Sequence, residues 1–311
     1  MRTRLQLTPA PPFDFRGTAH SHGWVVLAPN EWDRDAGVMQ RVERLPSSKV
    51  VGLTIQGDGT LRKPIIDVAV EHKGRLSRRD GKAIERSVNH MFRLDEDLRR
   101  FYTLCRKRGV PWTQVTCGLG RLLRSPDLFE DIVKTICTTN IQWSGTQRIV
   151  AGLVNEFAEP LPTAPDRKAF PTAETIAATH PDELAGRVRM GYRAPYVHEI
   201  ATRIAAGELN LASLQDPELP TIEIKQRLTA LKGVGPYAAA SLMMLLGRYD
   251  DLPVDSVYRD FVRKRFSQTQ AHRRPNPRDL RGLGPVEIPR LLVRPLDLPL
   301  RRLRATSVSL C

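Results

Sequence analysis

The sequence predicts an α+β protein, in which an antiparallel β-rich domain precedes an all-α domain. Up to about residue 75, short apolar runs are separated by proline, glycine, serine and asparagine, which is typical of strands joined by turns. From about residue 80 onward, apolar residues recur at helical spacing. After residue 266 the composition changes again and becomes rich in arginine and proline. We therefore predict a β-rich domain over 1–112, a helical domain over 113–266 and an arginine- and proline-rich tail over 267–311.

Individual elements follow from these patterns. Ser125-Pro126-Asp127 has the composition of a helix start, with a polar cap, a proline near the first turn and an acid near the positive helix end. The apolar runs predict strands over residues 24–27, 38–42, 50–55 and 65–70. Helical spacing predicts helices over residues 84–92, 94–105, 143–157, 181–187, 195–207, 222–231, 236–247 and 256–266.

The overall charge indicates a polyanionic partner. The 311 residues carry a net charge of +14, with a pI of about 10.1, which favours polyanions by long-range attraction and counterion release. Charge alone does not distinguish DNA, RNA and an anionic membrane. No apolar run approaches the roughly 20 residues of a membrane-spanning helix, and the N-terminus lacks the apolar core of a signal peptide. We therefore expect a soluble, cytoplasmic protein.

The cysteines do not form a metal-binding pattern. Cys105, Cys117, Cys137 and Cys311 contain no C-x-x-C pair, and their spacings match neither zinc nor iron–sulfur sites. The tail over 267–311 has nine arginines, six prolines and three acids. Prolines at this density prevent long helices, so we expect an extended or disordered arm, either a solvated appendage or a DNA-holding segment.

Residues 231–237 (Leu-Lys-Gly-Val-Gly-Pro-Tyr) predict a tight turn between two helices. Gly233 and Gly235 allow positive φ, so the turn can expose backbone N–H groups beside the start of the second helix. Pro236 costs no hydrogen bond at that start, and Lys232 adds a positive charge suited to phosphate. An ordinary helix connection remains the alternative for this motif.

An acidic residue follows the turn. Asp255 lies 20 residues after Gly235, within Pro253-Val254-Asp255, and precedes an apolar-periodic segment. Aspartate is a preferred helix N-cap residue, so a purely structural role is one interpretation. A capping role and a catalytic role are compatible.

The hairpin and the distant aspartate together resemble the helix–hairpin–helix base-excision DNA glycosylases. Residues 191–197 (Gly-Tyr-Arg-Ala-Pro-Tyr-Val) resemble a run found in the 8-oxoguanine branch, and residues 122–140 resemble the segment that ends at the void-filling residue. The β-rich N-terminal part suits the domain shared by the 3-methyladenine and 8-oxoguanine branches. The resemblance covers about residues 10–266.

The resemblance implies a role for each matching residue. Asp255 would be the essential aspartate, which stabilises the oxocarbenium-like sugar and positions or activates water. Asn140 would fill the gap left by the flipped nucleotide. The hairpin residues Lys232, Gly233, Val234, Gly235 and Tyr237 would hold DNA phosphate together with a monovalent cation. Trp143 and Tyr192 are candidate walls of the base pocket, although core packing is the more common role of aromatic residues.

Residue 237 separates two branches of the family. Bifunctional members carry a lysine at the position of Tyr237, which forms a Schiff base with the sugar. The resemblance therefore implies a monofunctional enzyme that leaves an abasic site. Tyr237 could stack on a cationic, alkylated base or could be a core tyrosine beside the hairpin.

These residues lead to one leading hypothesis and two alternatives. The leading one is a monofunctional glycosylase for an alkylated base in duplex DNA, acting as a monomer without an iron–sulfur cluster. The alternatives are an 8-oxoguanine-type glycosylase and a noncatalytic DNA-binding protein. The noncatalytic alternative arises because the tail lacks the Trp- and Tyr-rich helices with which family members usually continue.

Overall fold

The computed structural model describes residues 1–255, 258–260 and 263. Its N-terminal part contains a five-stranded antiparallel sheet with strand order β1-β5-β4-β3-β2. The strands are β1 (Arg2–Leu7), β2 (Asn30–Asp33), β3 (Val38–Arg44), β4 (Val50–Thr60) and β5 (Lys63–Glu71). The antiparallel β-rich N-terminal part that the sequence predicts is therefore confirmed.

Side chains along the strands alternate between the buried and the partly exposed face of the sheet. In β5, Ile66, Val68 and Val70 are fully buried while the residues between them are partly exposed, as the two-residue period of a strand requires. Strand β1 pairs with β5 along its whole length. We did not predict β1, because its arginine-, threonine- and glutamine-containing sequence lacks an apolar run.

The strand that we predicted over residues 24–27 is wrong. Trp24–Val26 form a 3-10 turn after Gly23, whose φ is 98°. The run is apolar because Trp24 and Val25 are buried, and a short apolar run does not by itself distinguish a strand from a helical turn. Specific hydrogen bonds hold this turn, including one that Asn30 Nδ2 donates to the Trp24 carbonyl at 3.0 Å.

The rest of the described chain is mainly helical. Predicted helices over 143–157 and 181–187 agree with the structure, and those over 195–207, 222–231 and 236–247 agree to within two residues at each end. The helix predicted over 84–92 begins at residue 78 instead, and the one predicted over 94–105 lies at 99–108. The helices are α1 (Phe15–Ala19), α2 (Arg78–Phe92), α3 (Arg99–Arg108), α4 (Leu128–Cys137), α5 (Trp143–Phe157), α6 (Ala173–Ala177), α7 (Pro181–Arg187), α8 (Ala194–Ala205), α9 (Thr221–Thr229) and α10 (Pro236–Leu245). Within the described residues, no helix is long and apolar enough to cross a membrane.

Helix α4 begins later than its sequence suggests. Asp127 is the N-cap, since its Oδ1 accepts a hydrogen bond from Glu130 N at 2.9 Å. Ser125 is fully buried, and its backbone N–H donates to Asp131 Oδ1 at 3.0 Å. Ser125 is therefore held by the first turn of α4 rather than capping it.

The part that we expected to be entirely helical also contains a small β-hairpin. Strands β6 (Pro160–Leu161) and β7 (Ala164–Lys168) pair with each other. Leu161 is fully buried and packs in a small cluster with Val42 and Val50 of the N-terminal sheet. Two residues of β6 are too few for sequence periodicity to show, so the hairpin depends on this tertiary contact.

One hydrophobic core joins the sheet to the helices. It contains Ile55 and Val68 from the sheet together with Ile132, Val197 and Leu242 from the helical part. This shared core positions the helices against the sheet. The boundaries at residues 112 and 266 stay predictions, and the tail over 267–311 lies outside the described residues.

The contact between residue 118 and the N-terminal segment predicts a stability difference. Gly118 has φ 94°, and a Cβ there would lie 2.6 Å from Asp14 N. We expect Gly118→Ala to lower the free energy of unfolding by about 2 kcal/mol, because left-handed backbone and steric overlap both disfavour it. In Gly186→Ala the new Cβ meets no atom within 4 Å in α7, so stability should rise by up to about 1 kcal/mol. Urea unfolding of both variants tests this, and equal stabilities would contradict it.

Candidate DNA-binding and active-site cleft

All of the candidate residues line a single cleft of about 1860 Å³. One side is formed by the α9–α10 connection and the loop that ends at Asp255. Residue 20 and residues 22–26 of the N-terminal part also line the cleft. The candidates that line it are Asn140, Trp143, Tyr192, Lys232, Gly233, Val234, Gly235, Tyr237 and Asp255. Residues that are distant in sequence thus face one volume.

The hairpin uses its two glycines in different ways. Gly233 has φ 84°, and a Cβ there would lie 2.8 Å from Tyr196 Cδ2, so both conformation and space require glycine. Gly235 has φ −80° and ψ −177°, so our expectation of positive φ there is not met. A Cβ at Gly235 would meet no atom within 4 Å. This glycine therefore leaves the backbone open toward the cleft.

The hairpin also positions a helix end. Gly235 is the N-cap of α10, and Pro236 is its first residue. The N–H groups of a first helical turn have no partner inside the helix and carry the positive end of the helix dipole. Val234 is buried, with 4% of its surface exposed, which anchors the turn in the core. The open backbone of Gly235 and this helix end are suited to an anionic group.

Lys232 is placed beside an acid rather than standing alone. Its Nζ lies 2.6 Å from Glu199 Oε2, and 64% of the lysine side chain is exposed. An exposed pair of this kind contributes little to stability. A phosphate approaching the hairpin would compete with Glu199 for this ammonium group.

Asp255 has the N-cap geometry that the sequence indicates. Its Oδ1 accepts a hydrogen bond from Tyr258 N at 2.6 Å, and its carbonyl accepts one from Arg259 N at 3.1 Å. The described residues 258–260 and 263 are helical, and the remainder of the helix predicted over 256–266 lies outside the described residues. The cap holds one carboxylate oxygen and orients the side chain, which is half-buried in the cleft wall.

Tyr237 lies between the hairpin and the aspartate. It is half-buried in the first turn of α10. Burial raises the pKa of Tyr237, and the nearby carboxylate of Asp255 adds to this rise. The phenol is therefore neutral at physiological pH, and its ring lines the cleft beside Asp255.

Asn140 and Tyr192 form a pair at the edge of the cleft. Asn140 has φ 50°, and its Nδ2 donates a hydrogen bond to Tyr192 Oη at 3.1 Å. The Arg193 guanidinium lies 4.5 Å from the centre of the Tyr192 ring and donates to the carbonyl of Thr139. Tyr192 is 49% exposed. These contacts place Tyr192 as a support for Asn140 as well as a lining residue.

Trp143 closes one wall through a contact with a glycine. It is the first residue of α5. A Cβ at Gly23 would lie 2.9 Å from Trp143 Cζ2, so the indole ring rests directly on the Gly23 backbone. The contact joins the start of α5 to the N-terminal segment of the cleft.

Sequence reasoning missed the contribution of residues 20–24. His22 lines the cleft, and its ring centre lies 4.5 Å from that of Trp24. Burial lowers the pKa of His22 to about 4, so its imidazole is neutral. The His-Gly-Trp sequence of residues 22–24 carries no periodic signal that marks a pocket wall.

The open hairpin, the capping aspartate and the exposed asparagine in one cleft are the features expected of a helix–hairpin–helix base-excision enzyme. The known proteins to which this chain is similar are DNA glycosylases. DNA-3-methyladenine glycosylase of Bacillus subtilis (strain 168) is 25% identical over 177 residues, which cover 56% of this chain and 58% of that protein. The chain thus spans under two thirds of the length of the curated relatives that it matches. No family model matches the chain.

Solved structures show the fold over nearly the whole chain. The 3-methyladenine DNA glycosylase of Archaeoglobus fulgidus has a TM-score of 0.66 at 21% identity, covering 86% of this chain and 89% of that one. The Clostridium acetobutylicum 8-oxoguanine glycosylase/lyase, bound to double-stranded DNA with cytosine opposite 8-oxoguanine, has a TM-score of 0.65 at 20% identity, covering 91% of each chain. The neighbours are therefore 3-methyladenine and 8-oxoguanine DNA glycosylases, the family recognised from the sequence motifs.

Proposed function

We propose that this protein is a monofunctional DNA glycosylase, which hydrolyses the N-glycosidic bond of a damaged, preferably alkylated, base flipped from duplex DNA. The observation that carries the proposal is the position of Asp255, which is held by a helix N-terminus in the same cleft as the hairpin and Tyr237. The names of the relatives support the reaction class, and the net charge of +14 supports DNA as partner.

Different groups in the cleft would bind the DNA backbone and fill the gap left by the flipped nucleotide. The open backbone at Gly235 and the first turn of α10 would bind a phosphate, with Lys232 turning from Glu199 toward it. Asn140, presented by its positive φ and by Tyr192, would enter the gap left by the flipped nucleotide. No step depends on a monovalent cation, although hairpin carbonyl oxygens would be the groups to hold one. We propose no iron–sulfur cluster.

The chemical step would take place at the sugar. The bond between C1′ and the base nitrogen breaks, and its electron pair leaves with the base. The Asp255 carboxylate stabilises the positive charge that develops on the sugar. Water then adds through its oxygen to C1′, while Asp255 orients it and receives its proton. The product is an abasic site in an intact strand.

Tyr237 carries the monofunctional part of the proposal. A Schiff base with C1′ needs an amine, whereas a neutral phenol at this position forms none. Its ring is instead suited to stacking on a flipped base, and cationic alkylated bases bind aromatic faces well.

We expect wild-type protein to release base and leave strands that break only after alkali. Borohydride added during the reaction should trap no covalent protein–DNA adduct. Tyr237→Lys is the matched variant for the trapping experiment, because it places an amine beside Asp255. Trapping of the wild-type protein would contradict the monofunctional assignment.

An 8-oxoguanine glycosylase is the second candidate. It is favoured by residues 191–197, which form a 3-10 turn (Gly191–Arg193) and the start of α8, and which place Tyr192 beside Asn140. Duplexes carrying 3-methyladenine, hypoxanthine, ethenoadenine or 8-oxoguanine, scored by alkali-revealed breaks, separate the candidates. Preferred release of 8-oxoguanine would select the second. Release of no base, with DNA binding retained, would select a noncatalytic DNA-binding protein.

A further inference from the structure

We propose that Arg248 and Tyr249 are positioning residues for Asp255, because they anchor the loop that carries this carboxylate into the cleft. The inference rests on the proposed glycosylase function and adds to it two residues that would act only through Asp255. Residues 246–254 connect α10 to Asp255 without helix or strand. Residues 252–254 of this loop line the cleft, whereas residues 246–251 do not.

The loop is one of two connections that set the position of Asp255. On the C-terminal side, the hydrogen bond from Tyr258 N holds one oxygen of the carboxylate. On the N-terminal side, a loop without a regular hydrogen-bond pattern depends on its side-chain contacts to keep a fixed position. A displacement of about 1 Å in a reacting group can cost about 100-fold in rate. Anchoring this loop therefore matters for the chemical step.

Tyr249 attaches the loop to the N-terminal part of the chain. Its hydroxyl donates to Glu96 Oε1 at 3.2 Å, and the Arg93 guanidinium lies 5.8 Å from the centre of its ring. Burial raises the pKa of Tyr249 to about 12, so the phenol keeps the proton that it donates. Arg93 is buried and donates twice to the Glu96 carboxylate, at 2.6 and 2.9 Å. Tyr249 thus meets an ion pair whose geometry is already fixed.

Arg93 also holds the point at which the loop begins. Its Nη1 donates to the carbonyls of Met244 and Leu245 at the end of α10, each at 3.3 Å. Carbonyl groups in the last turn of a helix have no partner inside the helix and attract cations. Gly247 has φ 81°, and a Cβ there would lie 2.9 Å from Arg93 Nη2. The chain therefore leaves α10 directly against the guanidinium that also contacts Tyr249.

Arg248 attaches the loop to the segment that precedes α9. Its Nη2 donates to three backbone carbonyls, at 3.1, 2.8 and 3.1 Å, which belong to Asp216, Pro217 and Leu219. The neighbouring residues Arg248 and Tyr249 thus bind the loop to two separate parts of the structure. Asp251 adds an ion pair with Lys225 Nζ at 2.5 Å, but these side chains are 33% and 39% exposed. Exposed pairs hold little, so we assign the positioning role to the first two contacts.

The test compares two tyrosines that each donate one hydroxyl hydrogen bond. Tyr249→Phe removes the bond to Glu96 and keeps the ring beside Arg93. Tyr102→Phe is the matched control. The Tyr102 hydroxyl donates to the Leu119 carbonyl at 2.9 Å, burial also raises its pKa to about 12, and it does not line the cleft.

Rate and binding are measured separately in the full chain, at a temperature at which every variant is folded. We expect Tyr249→Phe to lower the single-turnover rate of base release about tenfold, on the duplex from which wild type releases base fastest. Its affinity for undamaged duplex should be unchanged. Tyr102→Phe should leave both quantities unchanged, whereas a general loss of stability would act on the two variants alike.

Arg248 allows a test by conservative replacement. Arg248→Met removes every donor, so it should also slow base release about tenfold without changing the affinity for undamaged duplex. Arg248→Lys keeps a cation with three N–H donors, which can still bind the cluster of carbonyls, so it should restore most of the rate. Equal rates for the methionine and lysine variants would overturn the role of Arg248.

Hydrogen exchange at the Tyr258 amide reports the position of Asp255 without requiring activity, because that N–H donates to Asp255 Oδ1. It should exchange faster in Tyr249→Phe than in wild type or Tyr102→Phe. Base release by wild type, with equal rates in the two Tyr→Phe variants, would overturn the inference and leave the glycosylase function intact. If wild type releases no base, the proposed function is wrong, and equal exchange in the two variants would then overturn the inference as well.

Discussion

Asp255→Asn should lower the rate of base release by about 10²–10⁴-fold while DNA binding is kept. The substitution removes the negative charge that would stabilise the sugar cation and the group that would accept the proton from water. Asparagine is as good an N-cap as aspartate, so the hydrogen bond from Tyr258 N can persist and the local fold is preserved. Single-turnover release from the preferred damaged duplex measures the chemical step directly.

Asp250→Asn is the matched control for this experiment. Asp250 belongs to the same loop, is exposed and does not line the cleft. Its substitution removes the same charge from the protein and should leave base release unchanged. If Asp255→Asn released base as fast as wild type, Asp255 would be a structural cap and the proposed mechanism would be wrong.

Glu130→Gln should have the largest effect on stability, lowering the free energy of unfolding by about 3–5 kcal/mol. Glu130 joins the N-terminal sheet to α4. Its Oε2 lies 2.7 Å from Arg41 Nη2, and its Oε1 lies 2.6 Å from Lys134 Nζ. All three side chains are at most 2% exposed. Removing the carboxylate would leave the buried Lys134 without its ion-pair partner and Arg41 with only the longer contact of its Nε with Glu43 Oε2, at 3.4 Å.

An exposed ion pair provides the control. Arg44 Nε lies 2.6 Å from Glu159 Oε1, and these side chains are 32% and 46% exposed. Glu159→Gln should therefore change the free energy of unfolding by less than about 1 kcal/mol. Chemical denaturation at pH 7 compares the two substitutions. If Glu130→Gln and Glu159→Gln lowered the free energy of unfolding by similarly small amounts, burial would not strengthen the Glu130 interactions.

The pH dependence of the free energy of unfolding is a second test of the role of Glu130. Burial alone would raise the pKa of Glu130, but the charges of Arg41 and Lys134 outweigh it and lower the pKa to about 2. A lowered folded-state pKa contributes stability above the ordinary value of 4.5, which is lost as the pH falls toward about 2. In Glu130→Gln this part of the acid-induced loss should disappear.

The carboxyl group of Asp127 changes the stability with pH in the opposite direction, and at higher pH than Glu130. Burial and the neighbouring Glu130 raise the pKa of Asp127 to about 6. A raised carboxyl pKa means that protonation is favoured in the folded state, so lowering the pH from about 6 toward the ordinary value of 3.8 should add stability. Because the Glu130 charge contributes to this rise, the gain in stability over this pH range should be smaller in Glu130→Gln than in wild type, and acid titration of unfolding for both proteins measures it.

Local sequence signals were sufficient where neighbouring residues determine the conformation. The helix over 143–157 was predicted because its apolar residues keep one face over four turns. The hairpin was recognisable because only glycine tolerates the backbone of residue 233, and Asp255 because capping is a local interaction. The same signals failed at β1 and at residues 24–26, where pairing and burial by distant residues decide the structure.

The sequence by itself determined the α+β class, the hairpin, the capping aspartate and the presence of tyrosine instead of lysine at residue 237. These properties reside in residue types and short spacings. Only the tertiary structure decided that Asp255 and the hairpin share one cleft with His22 and Trp143. It also decided that Glu130 meets Arg41 from a strand 89 residues away. Such contacts depend on how the sheet and helices pack around one core, and the periodicity of a single element carries no information about the element that it meets.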